Sequence, residues 1–102
     1  MQELNSANFN SVVAQGVVLV DFWAPWCGPC KMLGPVLEKV DATLASKATI
    51  AKVNIDECQD LAAQFQVTSV PMMLIFKDGL IVRQLSGLKN EKAILSAIEE
   101  AL

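Results

Sequence analysis

Residues 17–30 read Val17-Val18-Leu19-Val20-Asp21-Phe22-Trp23-Ala24-Pro25-Trp26-Cys27-Gly28-Pro29-Cys30. Val17 to Trp23 is apolar almost without interruption, the pattern of an inner strand covered on both faces, as parallel sheets require. Past Pro29 the period changes, and Leu33, Val36, Leu37, Val40 and Leu44 fall on one helical stripe, with Pro35 expected to kink the helix. A Cys-x-x-Cys pair that closes an inner strand and opens a helix is the setting in which two thiols form a redox couple.

Working outward from this stretch, the remaining elements alternate. Ser6 is positioned to cap a short helix carrying Phe9, Val12 and Val13, with Gly16 behind it as a C-terminal cap. Thr49, Ala51, Val53 and Ile55 alternate with Ile50, Lys52 and Asn54, which predicts a second inner strand. A short helix with Leu61, Ala62 and Phe65 follows, then strand Met72 to Phe76, turn residues Asp78 and Gly79, and strand Leu80 to Ser86 as a hairpin. Asn90 caps a last helix whose apolar face is Ile94, Leu95, Ile98, Ala101 and Leu102, and Met1 to Leu4 adds a possible edge strand. This order predicts an α/β domain over residues 1–102, with helices on both faces of a mixed sheet.

Composition narrows the chemistry. The chain has 102 residues, 53% of them hydrophobic and 19% charged, and a formal net charge of −3. A chain of that length buries roughly 65% of the surface its unfolded form exposes, enough for one core without a disulfide or a metal. Its longest apolar run, Val70 to Phe76, is far shorter than a membrane span. No two of the eight Lys and Arg are adjacent, which argues against a nucleic-acid or anionic-membrane partner. Met1 to Phe9 holds Glu3 and no basic residue, unlike a secretory signal, so cytoplasmic residence is expected. With no His at all, Ser-His-Asp and Cys-His activation and His-ligated metals are excluded.

Cys27, at the start of the helix, feels unpaired backbone N–H groups and the positive end of the helix dipole, which favour its thiolate and mark it as the nucleophile. Cys30, one turn on, is expected to be more buried and to act as the resolving thiol. The competing readings are half of a zinc site, which three Cys and no His could not complete, and two thiols used only for packing. Asp21 interrupts an apolar strand. It is either a buried acid with a raised pKa, suited to taking the proton of Cys30, or a carboxylate at an exposed strand end. Lys52, which breaks the apolar pattern of the neighbouring strand, is either its ion-pair partner or a side chain that snorkels to water. Trp23 reads as core. Trp26, beside the nucleophile, reads as an apolar contact for a partner or as a shield for Cys27.

Trp26-Cys27-Gly28-Pro29-Cys30, with Val20-Asp21-Phe22-Trp23-Ala24 before it and Lys31-Met32 and Pro35 after it, resembles the thioredoxin family. Val53-Asn54-Ile55-Asp56, the Val70-Pro71 step, Phe76-Lys77-Asp78-Gly79 and Gly87 extend the resemblance through most of the chain. It implies a thioredoxin fold, a single domain with a central mixed sheet of four to five strands flanked by four helices. It also implies a thiol-disulfide oxidoreductase that reduces protein disulfides and is itself re-reduced by thioredoxin reductase, a flavin- and NADPH-dependent enzyme. The chain would bind no cofactor or metal and act as a monomer on disulfide-containing client proteins. Residue by residue, Cys27 matches the attacking cysteine, Cys30 the resolving one, Asp21 the buried acid, Lys52 its partner and Pro71 a cis-proline facing the dithiol. Val70, Pro71 and Gly87 match the groove for a substrate backbone, with Trp26, Gly28 and Pro29 beside it. Gly28-Pro29 resembles the reducing members of the wider group. Met72 stands where Thr is usual, Pro25 where several relatives carry an acid, and Cys58 has no counterpart in the dithiol motif. Two alternatives stand beside this reading: a glutathione-linked reductase, disfavoured by the lack of a basic cluster, and a thioredoxin-fold interaction subunit whose surface is its function.

Overall fold

The computed structural model describes Met1–Leu102. Nine elements follow in order: β1 (Gln2–Glu3), α1 (Phe9–Val13), β2 (Val17–Trp23), α2 (Gly28–Leu44), β3 (Thr49–Asn54), α3 (Gln59–Gln64), β4 (Met72–Lys77), β5 (Leu80–Ser86) and α4 (Glu91–Ala101). The five strands form one sheet in the order β1-β3-β2-β4-β5. β1 and β2 pair with β3 in parallel, whereas β4 runs antiparallel to both β2 and β5.

β2 is the central strand, and its burial explains its composition. Val17 to Phe22 are all buried and Trp23 is half-buried. Odd positions face one core layer, where Val17 and Leu19 pack with Leu33, Leu37, Val40 and Leu44 of α2 and Ile94, Ala97, Ile98 and Ala101 of α4. Even positions face the other, where Val18, Val20 and Phe22 meet Phe9 and Val13 of α1 and Leu61 of α3. The expectation of helices on both faces is thereby met. Asp21, with the parity of Leu19, falls on the α2 side.

At the hairpin, Asp78 and Gly79 both have positive φ, 50° and 88°, which a tight two-residue turn between twisted strands demands. Asp78 also ties the hairpin to the α1–β2 turn: its N–H donates to Gly16 O at 2.9 Å and its Oδ1 accepts from Gly16 N at 2.8 Å.

Three local expectations are corrected. Ser6 caps nothing, because its hydroxyl donates to Asp60 Oδ2 on α3, and Asn5 Oδ1 instead accepts from Ala7 N (2.9 Å) and Asn8 N (3.1 Å) ahead of α1. Leu102 lies beyond α4 and is half exposed, so the buried face of that helix is completed by Ala97. Ile55 falls outside β3, its N–H bonded to Trp23 O at 2.9 Å. α2 stays helical across Pro35, which lies on its exposed side where no core contact is lost.

Candidate active site

The carboxyl end of β2 delivers the chain into α2 through Ala24 to Cys27, and the Cys27 N–H is held by Ala24 O at 3.1 Å. Cys27 is the N-cap of α2 and has extended backbone, while Gly28 and Pro29 begin the helix. Proline suits the first turn, where its missing N–H removes a donor that would otherwise lack a partner. Cys27 Sγ does the capping itself: it accepts from Cys30 N at 3.1 Å. The same turn brings the two cysteines to a Cα separation of 5.3 Å and joins them in a disulfide.

Both cysteines are shut away in this form, Cys27 at 5% exposure and Cys30 at 6%. The expected difference in burial is therefore absent, because the disulfide packs both sulfurs against Ala24, Trp23, Ile55 and Val70. What separates them is polar contact. Cys27 Sγ has the amide donor and lies 3.7 Å from Val70 O, and no such contact involves Cys30 Sγ.

Val70-Pro71 is a cis peptide bond, as the resemblance implies. Pro71 is buried with its carbonyl accepting from Gly87 N at 2.9 Å, and Gly87 has φ of +82°, a conformation that favours glycine. The N–H of Val70 has no partner within the protein. Val70, Pro71 and Gly87 thus lie together beside Cys27, and Gly28 and Pro29 are exposed on the same rim. Met72, which follows the proline, is buried and takes a weak hydrogen bond from Ser86 Oγ of its register partner on β5 at 3.6 Å.

Trp26 is 68% exposed and held by one hydrogen bond, from its Nε1 to Asp56 Oδ1 at 3.3 Å. Met32, on the first turns of α2, is also largely exposed. The Trp26 ring is thus exposed and tethered next to Cys27 in the chain. Asp56 is a residue the motif contains but whose task no sequence pattern reveals, because it depends on two loops meeting.

Asp21 is buried at 1% exposure, and neither carboxylate oxygen has a hydrogen-bond partner. Its pKa is pushed up to about 7 by burial, an effect that Lys52 opposes and the charge of Glu3 reinforces. The strand-end alternative is thereby excluded. Lys52 is the register partner of Asp21 across β2 and β3. It does not form the expected ion pair, since the only salt bridge joins Arg83 to Glu100. The Lys52 ammonium instead stands over the Trp23 ring, 4.7 Å from its centroid, where a cation is attracted by the ring face without giving up all its water. The third cysteine, Cys58, is buried and free, with Sγ 3.7 Å from Leu4 O.

Residues 1–100 match the family model described as Thioredoxin. A thioredoxin of Bacillus subtilis (strain 168) is 43% identical over 95 residues, 93% of this chain and 91% of the relative. One from Chlamydia caviae is 46% identical over 97 residues, 95% and 94% of the two chains. Among solved structures, a mutant thioredoxin from Halobacterium salinarum NRC-1 superposes with a TM-score of 0.89 at 37% identity, covering 98% of this chain and 88% of that one. The strand order, the Cys27–Cys30 disulfide at the head of α2 and these likenesses agree, and the chain belongs to the thioredoxin family as a dithiol–disulfide oxidoreductase.

Proposed function

We propose that the protein reduces disulfides in client proteins, with Cys27 as the attacking thiol and Cys30 as the resolving one. The observation that carries this assignment is the capping geometry: Cys27 Sγ sits at the N-terminus of α2, where an amide donor already points at it. In the reduced protein those N–H groups and the helix dipole favour a thiolate at Cys27. That thiolate attacks one sulfur of the client disulfide, forming a Cys27–client disulfide and releasing the other client sulfur as a thiolate. Cys30 then loses its proton to the carboxylate of Asp21 and attacks Cys27 Sγ. The Cys27–client bond breaks, the client leaves as a dithiol after protonation, and the two electrons remain gained by the client while Cys27 and Cys30 end as a disulfide. Lys52 moderates the buried charge of Asp21 across the strand pair.

The client's extended backbone docks along Val70, whose unpartnered N–H is a free donor beside Cys27, and over Pro71 and Gly87. Trp26, Gly28 and Pro29 supply the apolar rim. Thioredoxin reductase returns the chain to its dithiol form, and the same reading makes the protein a monomeric cytoplasmic electron carrier in cell redox homeostasis that binds no cofactor of its own. It is compatible with the absence of any helix long and apolar enough to cross a membrane.

Trapping on a Cys30→Ser variant tests the assignment. Clients from a lysate should accumulate as mixed disulfides on Cys27, released by a reducing agent, and Cys27→Ser should capture none. Equal capture by the two variants would reverse or abolish the assigned roles. An interaction subunit would keep its role with both cysteines replaced by Ser, whereas a disulfide reductase loses all activity.

A further inference from the structure

Three acid-base side chains stand in one row across the sheet. Glu3 on β1 is in register with Lys52 on β3, and Lys52 is in register with Asp21 on β2. Register partners in parallel strands present their side chains to the same face, and neighbouring strands lie about 4.8 Å apart. Lys52 therefore stands between two carboxylates, roughly one strand spacing from each. Its main chain is fixed there, since Lys52 O accepts from Leu4 N at 2.7 Å. Its ammonium is committed to neither acid and rests over Trp23. Glu3 and Trp23 line the same cleft of about 340 Å³, together with Glu57 and Cys58. Glu3 is exposed, while Asp21 is buried with both oxygens unpartnered.

We propose that Glu3 is a positioning residue of the redox site: across Lys52 from Asp21, its carboxylate decides how fully the single ammonium compensates the buried acid. The inference rests on Asp21 acting as the base for Cys30. One positive charge shared by two carboxylates stabilises each less than it would stabilise one alone, so the exposed acid competes with the buried one for Lys52. The charge of Glu3 acts on Asp21 in the same direction directly. The other elements around Asp21 bring no further charge of comparable position. Lys52 and Glu3 are the charges that act on Asp21, β4 offers the uncharged Met73 as its register partner, and the Cys27–Cys30 disulfide carries no charge. Glu57 borders the cleft and is unchanged in the test below.

The experiment follows the Asp21 carboxyl carbon by NMR as pH is varied, in the disulfide form, where neither active-site thiol titrates. In Glu3→Gln at low salt the midpoint of Asp21 should move to lower pH by roughly half a pH unit, the size expected for a charge about two strand spacings away through a partly solvated path. Glu3→Asp, which keeps the charge, should restore the midpoint toward that of the unmodified protein. The difference should shrink at ~1 M salt, because Glu3 is exposed and screened. The rate at which Cys30 resolves a preformed Cys27 mixed disulfide should carry an inflection that moves with the midpoint, and Asp21→Asn should abolish that inflection. A midpoint that stays put in Glu3→Gln overturns the role of Glu3, whatever the kinetics. A midpoint that moves while Asp21→Asn keeps the inflection overturns instead the base role of Asp21 and, with it, any part for Glu3 in the reaction.

Discussion

Asp21 and Cys58 are both buried ionisable groups, yet their surroundings give them opposite prospects. Asp21 has its pKa pushed up to about 7, against an ordinary value of 3.8, chiefly by burial. The native state therefore holds a proton between those two pH values that the unfolded state has lost, and stability falls as pH rises through the interval, with the full cost present above about 7. At 1.36 kcal/mol per pKa unit the cost is up to about 4 kcal/mol, part of which an Asn would keep as a buried unpartnered amide. Asp21→Asn is accordingly expected to gain about 2 kcal/mol at pH 8 and almost nothing near pH 4, measured by denaturant midpoints at the two pH values. A variant less stable than the unmodified protein at pH 8 would contradict the burial described above. Cys58 has its thiol pKa pushed up by burial and by the charges of Asp60, Glu57 and Glu3, which disfavour a thiolate. In the reduced protein, limiting iodoacetamide should label Cys27 well before Cys58. Peptide mapping decides the order, and early labelling of Cys58 would show that the helix start at Gln59 activates it after all.

At the scale of elements, the helix ends show which local signals operate alone. Asn90 does what its position predicts, accepting from Ala93 N at 2.8 Å as the N-cap of α4. Asn90→Ala should therefore cost about 1 kcal/mol in chemical denaturation, with the redox chemistry unaffected. Ser6 has an equally good capping residue type, but an acid 54 positions away on α3 competes for its hydroxyl, and Asn5 turns the chain instead. The α4 stripe was legible up to Ala101 because its helical period is strict, whereas the place of Leu102 depended on where the helix stops. The head of α2 was legible for a stronger reason: a strand, a short turn, Pro at the helix start and paired cysteines combine in one continuous segment. Everything that segment needs from elsewhere was less visible. The tether of Trp26 to Asp56 and the row Glu3, Lys52 and Asp21 are made by strands and loops that meet only through the sheet.

Taken whole, the molecule carries a core layer on each face of one sheet and sets its aromatic cluster on the face away from Asp21. Phe9, Phe22, Phe65 and Phe76 gather on the α1/α3 face, with the Phe9 ring centroid 5.2 Å from that of Phe65 in a tilted pair and 5.7 Å from that of Phe76 edge-to-face. The redox pair and Asp21 belong to the other side and the end of the sheet. Phe9 is 1% exposed, and Phe9→Ala is expected to lower stability by about 3–5 kcal/mol. At a temperature where the variant is still folded, its rate of disulfide reduction should match the unmodified protein within a factor of about two, since Phe9 lies across the sheet from Asp21 and outside the cluster that packs on the disulfide. Stopped-flow reduction of a small protein disulfide, set beside a urea titration, checks both halves.

The amino-acid sequence alone determined the element order, the central place of Val17 to Trp23, the hairpin at Asp78-Gly79 and the identity of the redox pair. Each of these is written in a period or a short motif whose physics is local: alternation for strands, a 3.6-residue stripe for helices, positive φ at a tight turn, one helical turn between two thiols. Only the tertiary structure decided that Asp21 is sealed without a hydrogen bond, that Lys52 rests on Trp23 rather than on the acid, and that Glu3 stands on the far side of that lysine. Those outcomes depend on the distances and solvent access that arise when three strands far apart in the chain are laid side by side. Burial and Coulomb interactions act through space, and a sequence records separation only along the chain.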